Sequence, residues 1–368
     1  MANNITLRQK NKTDSYDNLY PRTTANHTML TDATSVKYGL TDGNAEEVVV
    51  IGMNYISAVG IVNIYVKDPS GNPIVGATVQ GIQNNPVTNS AGFVSGIVLS
   101  NPVIVKSPYI DLKDSSVDVI DYVGTTTPVN VVLSAVSNGK ILRYTASTSV
   151  KFNGVAKTVD ICCVGAGGGG GAYFTQNSAY HNGGGGGGGA IVNSYGITLI
   201  ANTPYPILIG TGGSTGQTAG AGGTTSFMSV SAPGGGGAYM SSATGLTGGG
   251  RGGAAGLTGC GDGGSERETI DGGSNTTISE FDDGKTFYSG GGGAGVWGQG
   301  SQASGGSPNG ADGGYIHVTG AYNATVSNAP IPGIGGGGGG GAYWHSGAMV
   351  ANPSVGGSGL VAIRIHTS

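Results

Sequence analysis

"PIPGIGGGGGGGAYWHSG", residues 330–347, sets seven consecutive glycines in front of Ala342, Tyr343, Trp344 and His345. Glycine gives up more conformational freedom on ordering than any other residue. A run this long is therefore either a floppy tether or a regular structure that only glycine can form. Four further runs end in a similar way: "GGGGGAYF" at 167–174, "GGGGGGGAIV" at 183–192, "GGGGAYM" at 234–240 and "GGGGAGVW" at 290–297. Each is polyglycine, then alanine, then a large apolar residue soon after. A flexible linker is Gly/Ser-mixed and has no reason to repeat that punctuation. Collagen needs glycine only at every third position, together with proline, whereas these runs are pure. The remaining option is an extended three-fold helix of the polyproline-II type, made of glycine. It rises about 3.1 Å per residue, so seven residues span roughly 22 Å. Such a helix has no internal hydrogen bonds, and its N–H and C=O groups must find partners in neighbouring helices. Several runs are then needed at once, and any inward Cβ would hold them apart.

Of the 76 glycines, 11 lie in residues 1–150 and 65 in the remaining 218, so the composition breaks near residue 140. Hydrophobic residues make up 37% of the chain, enough for a core, while only 10% are charged and the net charge is -4. That balance argues against a basic nucleic-acid-binding surface and against a charge-extended disordered chain. "MANNITLRQKNK" carries charges with no apolar stretch behind them, so no secretory signal is expected. Residues 48–66, "VVVIGMNYISAVGIVNIYV", are uncharged over a span long enough for a bilayer. Asn54, Ser57 and Asn63 and the terminal alternation favour two strands over a membrane insertion.

Three segments follow. Residues 1–57 are polar, with Pro21 and many Thr, Asn and Asp residues against a continuous helix, and read as an attachment segment that completes its structure on a partner. Residues 58–137 alternate: Val62, Ile64 and Val66 fall on one face of "IVNIYVKD" and Asn63, Tyr65 and Lys67 on the other. "GATVQGI", "FVSGIVL", "PVIVKS", "VDVIDYV" and "PVNVVLS" follow, separated by turn residues. Short strands at regular spacing predict an antiparallel β-sandwich of roughly seven strands. Residues 138–368 hold the glycine runs, between strand patterns "TVDICCV" (158–164), "YPILIG" (205–210) and "SGLVAIRIHTS" (358–368). The expected fold is all-β throughout, ending in a β-scaffold with an inserted polyglycine-II helix bundle.

Two stretches resemble known families. Asp68, Gly71, Pro73, Gly76, Ala77, Val79, Thr88 and Gly92 match the "D…G.P..GA.V" and "T…G" elements of the carboxypeptidase-regulatory-like domain, which implies a non-catalytic spacer or binding module. "YPILIGTGG", "GGTTSF" and "GGSGLVAIRI" resemble the glycine-rich domain found at the ends of many phage fibres. Polyglycine runs separated by aromatic loops are similar to the polyglycine-sandwich adhesins of T-even-type long tail fibres. A related arrangement occurs in the extracellular part of certain receptor tyrosine kinases. The leader "LYPRTT" is similar in flavour to tail-fibre leaders of phages of low-GC bacteria. In the adhesins, loops between glycine helices bind the host receptor. The resemblance thus implies a tail-fibre tip protein, made in the host cytoplasm and resident in the virion at the tail fibre or baseplate periphery. Its partners would be a host surface receptor (protein or glycan), other tail proteins through the N-terminal segment, and two further copies in a homotrimer. A purely structural tail or decoration protein is the alternative.

Chemical motifs are weak. Gly165, Gly167 and Gly170 satisfy G-x-G-x-x-G after a strand, but neither a helical period nor the required acidic residue follows. "SEFDDGKT" ends like a phosphate loop, yet position 279 is Ser279 where the first glycine belongs. His27, His181, His317, His345 and His366 lack metal spacing. Asp262, Glu266, Asp271, Asp282 and Asp283 form no recognised calcium loop. Adjacent Cys162 and Cys163 should point to opposite faces of a strand and, with Cys260, stay as free thiols. The expectation is a non-enzyme without cofactor or metal. Recognition is expected where rings meet polar groups near the run ends: Tyr173, Phe174, Tyr180, His181, Tyr239, Met240, Trp297, Tyr343, Trp344 and His345. Those rings either seal the ends of the bundle or grip a ligand, since Tyr and Trp bring large contact area at low entropy cost.

Overall fold

The computed structural model describes residues 7–10, 16–19, 60–172, 174–176, 179–181, 183–238, 281, 296–298, 304, 315–317, 323–325, 335–344 and 349–367. Among them the chain is all-β, with short 3-10 turns and many antiparallel pairings. It divides into two compact units, residues 1–106 with 114–132, and 107–113 with 133–368. No described helix is long and apolar enough to cross a membrane, and the last six residues of the uncharged 48–66 stretch begin the strand Ile61–Lys67.

In the first unit Leu7–Lys10 and Tyr16–Leu19 form an antiparallel pair. Two three-stranded sheets follow. In one, Ile61–Lys67 lies between Phe93–Ile97 and Val129–Val132, antiparallel to the former and parallel to the latter. In the other, Val103–Lys106 lies between Thr78–Gln80 and Ser115–Val117. The alternation reads out as expected, with Val62, Ile64 and Val66 buried. "VDVIDYV" differs: only Ser115–Val117 is extended, and Ile120–Tyr122 closes a 3-10 turn through the Tyr122 N–H to the Val119 carbonyl. The Asp–Gly–Thr motif serves the backbone. Asp68 Oδ1 accepts the N–H groups of Ser70 and Asn72 at 2.9 and 2.8 Å, which folds the turn. Thr88 Oγ1 is buried, accepts the Ala77 N–H and donates to the Ile74 carbonyl. Gly76 stands at φ 82°, where only glycine sits without strain.

The second unit is built on two four-stranded antiparallel sheets. One runs Ile191–Thr198, Thr158–Val164, Leu360–His366, Lys140–Tyr144; the other runs Thr148–Val150, Tyr205–Leu208, Thr225–Phe227, Val230–Ala232. Val159, Ile161 and Cys163 with Val361, Ile363 and Ile365 pack from the first sheet against Val150, Ile207, Phe227 and Val230 from the second. Cys162 faces the other way with Val164, Leu360 and Ala362, beneath Phe281. The two thiols thus point to opposite faces, and both are buried and free. Burial pushes Cys163 up to about 12 and Cys162 higher still, so neither is a nucleophile at neutral pH.

The segment 107–113 is fixed to this unit by Asp111, fully buried. Its carboxylate accepts four backbone N–H groups from one turn: Asn153 at 2.8 Å, Gly154 at 3.2 Å, and Val155 and Ala156 each at 3.1 Å. Removing the acceptor strands those donors in a water-poor turn, at about 1–3 kcal/mol for a buried group left unmade and more where the lost acceptor is charged. Asp111→Ala should therefore lower the melting temperature by roughly 5–10 °C at about 2–4 °C per kcal/mol for a domain this size, measured by calorimetry.

The glycine runs grow out of the scaffold as parallel and antiparallel rods. Residues 165–172 form a hub surrounded by rim rods at 183–190, 335–341, 354–359, 210–213, 219–223 and 233–238. The hub N–H groups rotate through three neighbours with a period of three. Gly165, Gly168 and Gly171 donate to Ala190, Gly187 and Gly184; Ala166 and Gly169 to Gly223 and Gly220; Gly167 and Gly170 to Gly357 and Ser354, all at 2.8–3.0 Å. The falling partner numbers make these neighbours antiparallel. Hub carbonyls accept from the other rods: Ala166 and Gly169 from Gly235 and Ala238, Gly168 and Gly171 from Gly338 and Gly341, and Gly167 from Gly213. Rising partner numbers make these parallel. Around the rim each rod bonds antiparallel to the next, and the ring closes: 183–190, 335–341, 354–359, 210–213, 219–223, 233–238 and back. This is a hexagonal polyglycine-II lattice, with three residues per turn supplying the three bonding directions. A Cβ at Gly167, Gly168 or Gly170 would overlap the carbonyl oxygen of Gly336, Gly236 or Gly339, all backbone atoms with nowhere to move.

Candidate functional site

The register of the lattice decides where the loops go. Gly165, Ala190, Gly210, Gly223, Gly234 and Gly359 each lie within two residues of a scaffold strand, so one end of the bundle is continuous with the two sheets. At the other end Gly171 donates to Gly184 and accepts from Gly341, Gly183 donates to Gly341, and Ala172 donates to Gly216, at 2.8–2.9 Å. Three connections, 173–182, 214–218 and 342–353, therefore have their roots hydrogen-bonded to one another at the end away from the scaffold. The rod 233–238 ends there too, with Ala238 accepting from Ala219 at 2.8 Å. Parallel and antiparallel rods alternate, and the loops gather at one tip.

Phe174, Tyr180 and His181 lie on an antiparallel pair, Phe174–Gln176 with Ala179–His181, in which Phe174 is opposite His181. Tyr343 and Trp344 lie on Ala342–Trp344, paired with Met349–Ala351, with Tyr343 opposite Val350 and Trp344 opposite Met349. Trp297 is on Val296–Gly298, parallel to Tyr315–His317. The strand Ala342–Trp344 lies against both Ala179–His181 and Val296–Gly298, so all these positions share the tip. Tyr173, Tyr239, Met240 and His345 lie outside the described residues, as do Cys260, the 262–283 acidic residues, Lys285 and Thr286. Beside the aromatic hairpins, the loop 214–218 exposes Ser214, Thr215, Gln217 and Thr218.

The nucleotide-like glycines have another use. Gly165, Gly167 and Gly170 are buried and their N–H groups are spent on Ala190, Gly357 and Ser354, which leaves no donor for a phosphate. Among the described residues no three His, Cys, Asp or Glu side chains are grouped to hold a metal ion.

A second polar cluster sits on the outer face of the scaffold, and no motif or spacing in the sequence marks it. Asp160 is 5% exposed. Its Oδ2 accepts from Arg364 Nη2 at 2.7 Å and Nε at 2.9 Å and lies 2.8 Å from His366 Nε2, while Oδ1 accepts the Gly196 N–H at 2.8 Å. Arg364 lies over the Phe281 ring at 5.2 Å, Tyr195 stacks on the same ring, and Arg143 Nη2 donates to the Phe281 carbonyl at 2.8 Å. The group is a clamp on Phe281. Burial alone would push the Asp160 carboxyl up, but the Gly196 N–H, the His366 ring and the Arg364 guanidinium outweigh it and hold the carboxyl below its ordinary value. A depressed carboxyl contributes stability that is present above the unfolded value of about 3.9 and lost as pH falls through the folded one. The melting temperature of the native protein should thus drop as pH is lowered below about 4, and Asp160→Asn should start lower and show a shallower acid limb.

A family model described as a glycine-rich domain matches residues 144–366, which takes in every rod and every scaffold strand except Lys140–Tyr144, of which it reaches only Tyr144. The chain belongs to that glycine-rich domain family. No curated protein matches it. Among solved structures it is similar, at 11% identity, to a streptococcal ancillary pilin, over 49% of this chain and 62% of the pilin, with a TM-score of 0.18. The chain therefore spans less than two thirds of that pilin.

Proposed function

We propose that this glycine-rich domain protein is the receptor-binding tip of a phage or phage-derived tail fibre. The observation behind the reading is the tip itself: loops rooted on one another, at the end of a backbone lattice too tightly packed to deform, remote from the sheets that carry it. Rigid elements hold recognition groups more precisely than free loops do, and surface loops carry function on such scaffolds. Uniform rods need no aromatic hairpins at one end for their own stability, whereas a gripping surface uses them. In this reading the N-terminal residues 1–57 dock on other tail proteins, the β-sandwich is a non-catalytic spacer of the carboxypeptidase-regulatory-like kind, and three copies assemble. The protein binds and does not catalyse. Purified protein should be retained on envelopes of the susceptible host and should block adsorption of the phage that encodes it. A protein that assembles into virions but is not retained on those envelopes would be a structural tail component instead.

A further inference from the structure

Among the described residues the tip carries no charged side chain, and that property bears on what it can recognise. No Asp, Glu, Lys or Arg occurs between Asp160 and Arg251, and between Lys285 and Arg364 there is one, Asp312. Every described strand at the tip, and the loop 214–218, falls within those two stretches. Lattice packing explains the absence of charge on the inward-facing sides of the rods, because a Cβ there would overlap a neighbouring backbone. It does not explain the loops, which are under no such restriction, while the whole chain carries 16 Lys and Arg and 20 Asp and Glu. What the loops carry instead is rings on two hairpins, Phe174, Tyr180, Tyr343 and Trp344, and beside them exposed neutral hydroxyl and amide groups on Thr215, Gln217 and Thr218.

We infer that the tip binds an uncharged carbohydrate on the cell surface. A sugar ring offers a C–H face that stacks on an aromatic ring and a fringe of hydroxyls that exchange hydrogen bonds with neutral side chains; both residue types occur on the strands and loop of the tip. An anionic polymer calls for Lys or Arg, which pair with phosphate and carboxylate, and the described residues of the tip include neither. A protein receptor is disfavoured for a related reason: interface cores are enriched in Arg along with the aromatics and are fixed in register by complementary charges.

This inference rests on the receptor-binding reading, and the experiment separates the two. Purified protein is applied to host envelopes that are untreated, periodate-oxidised to cleave vicinal diols, or digested with proteinase K, at pH 8. Retention is measured at about 50 and about 500 mM sodium chloride, a range over which screening strips most exposed charge–charge attraction. The expected result is binding lost after periodate, kept after proteinase K, and changed less than about twofold by salt. Binding that survives periodate but not proteinase K, or that falls tenfold or more with salt, overturns the carbohydrate while leaving receptor binding intact. No retention under any condition overturns both. Gln217→Ala with Thr218→Ala, exposed and outside the rods, should weaken retention about tenfold at an unchanged melting temperature; undiminished retention would also count against the inference.

Discussion

Gly170→Ala should unfold the glycine lattice at a temperature about 10 °C below the native protein, whereas Gly171→Ala, one residue along the same rod, should leave the melting curve within a few degrees. Two opposing effects act in both variants. Replacing glycine reduces the freedom of the unfolded chain and stabilises by about 0.4–1 kcal/mol where the native conformation allows a side chain. Against it stands the methyl group. At Gly170 it would overlap the carbonyl oxygen of Gly339, and at Gly171 its nearest neighbours are the Gly184 nitrogen at 3.2 Å and the Ala238 Cβ at 3.3 Å. The second case needs a shift of tenths of an ångström. The first pushes two backbones apart, at about 1–3 kcal/mol for overpacking plus about 0.5–1.5 kcal/mol for each hydrogen bond that lengthens. Two such bonds hold this pair of rods, Gly338 N–H to the Gly168 carbonyl and Gly341 N–H to the Gly171 carbonyl, because the hub meets each neighbour once per turn. The sum, about 3–4 kcal/mol, exceeds the entropic gain and corresponds to roughly 10 °C at 2–4 °C per kcal/mol. Gly338→Ala, whose methyl would overlap the Ser354 carbonyl oxygen, belongs with the severe class. Calorimetry of the three variants decides the matter. Equal, unperturbed melting curves would mean that the runs do not pack backbone to backbone.

Much of this arrangement is legible in the sequence, and the part that is not has a geometric cause. "TVDICCV" is the strand Thr158–Val164, and the pure runs at 167–171, 183–189, 234–237 and 335–341 all lie in rods. Of the fifth run, 290–297, only Val296 and Trp297 are described, and they are in a strand. Three rods escape a search for glycine runs: 210–213, 219–223 and 354–359 contain Thr211, Ala221 and Val355. Those side chains are exposed. A rim rod has an outer side, and a residue pointing there meets no neighbour, so a rim rod accepts side chains that the middle of the hub, Gly167 to Gly170, does not. The terminal strand shows the same limit. "SGLVAIRIHTS" reads as one strand with one apolar face, but the segment before Leu360 is a rod. The polar positions of that strand are also covered, since Arg364 and His366 meet Asp160, which lies 204 and 206 residues away along the chain. Composition could nominate the aromatic residues but not place them together. Which end of the bundle a loop leaves from depends on the direction of its rod, and direction is fixed by hydrogen bonds between segments far apart in sequence.

Replacing Tyr343 and Trp344 together by alanine should abolish adsorption while leaving the lattice intact. Both residues lie on Ala342–Trp344, beyond the last rod residue Gly341, which keeps its hydrogen bonds to Gly171 and Gly183 whatever follows. Their strand is also the one that touches its neighbours on both sides, Ala179–His181 and Val296–Gly298, so it occupies the middle of the tip. Residues at the centre of a binding surface dominate its energetics, and Trp and Tyr are the types most often found there, at 2 kcal/mol or more each. Two such losses, about 4 kcal/mol together, weaken binding by roughly a thousandfold, beyond detection in a sedimentation assay with envelopes. The substitution also removes two good strand formers from a three-residue strand, so loss of binding alone would be ambiguous. Tyr343→Phe with Trp344→Phe resolves the ambiguity: it keeps rings and strand propensity, and should retain most of the adsorption. If the alanine pair adsorbs like the native protein, recognition lies elsewhere on the chain and the tip has only a structural part. If the phenylalanine pair fails together with the alanine pair at an unchanged melting temperature, the polar edges of the two rings, the Tyr343 hydroxyl and the Trp344 indole N–H, carry the recognition rather than their faces.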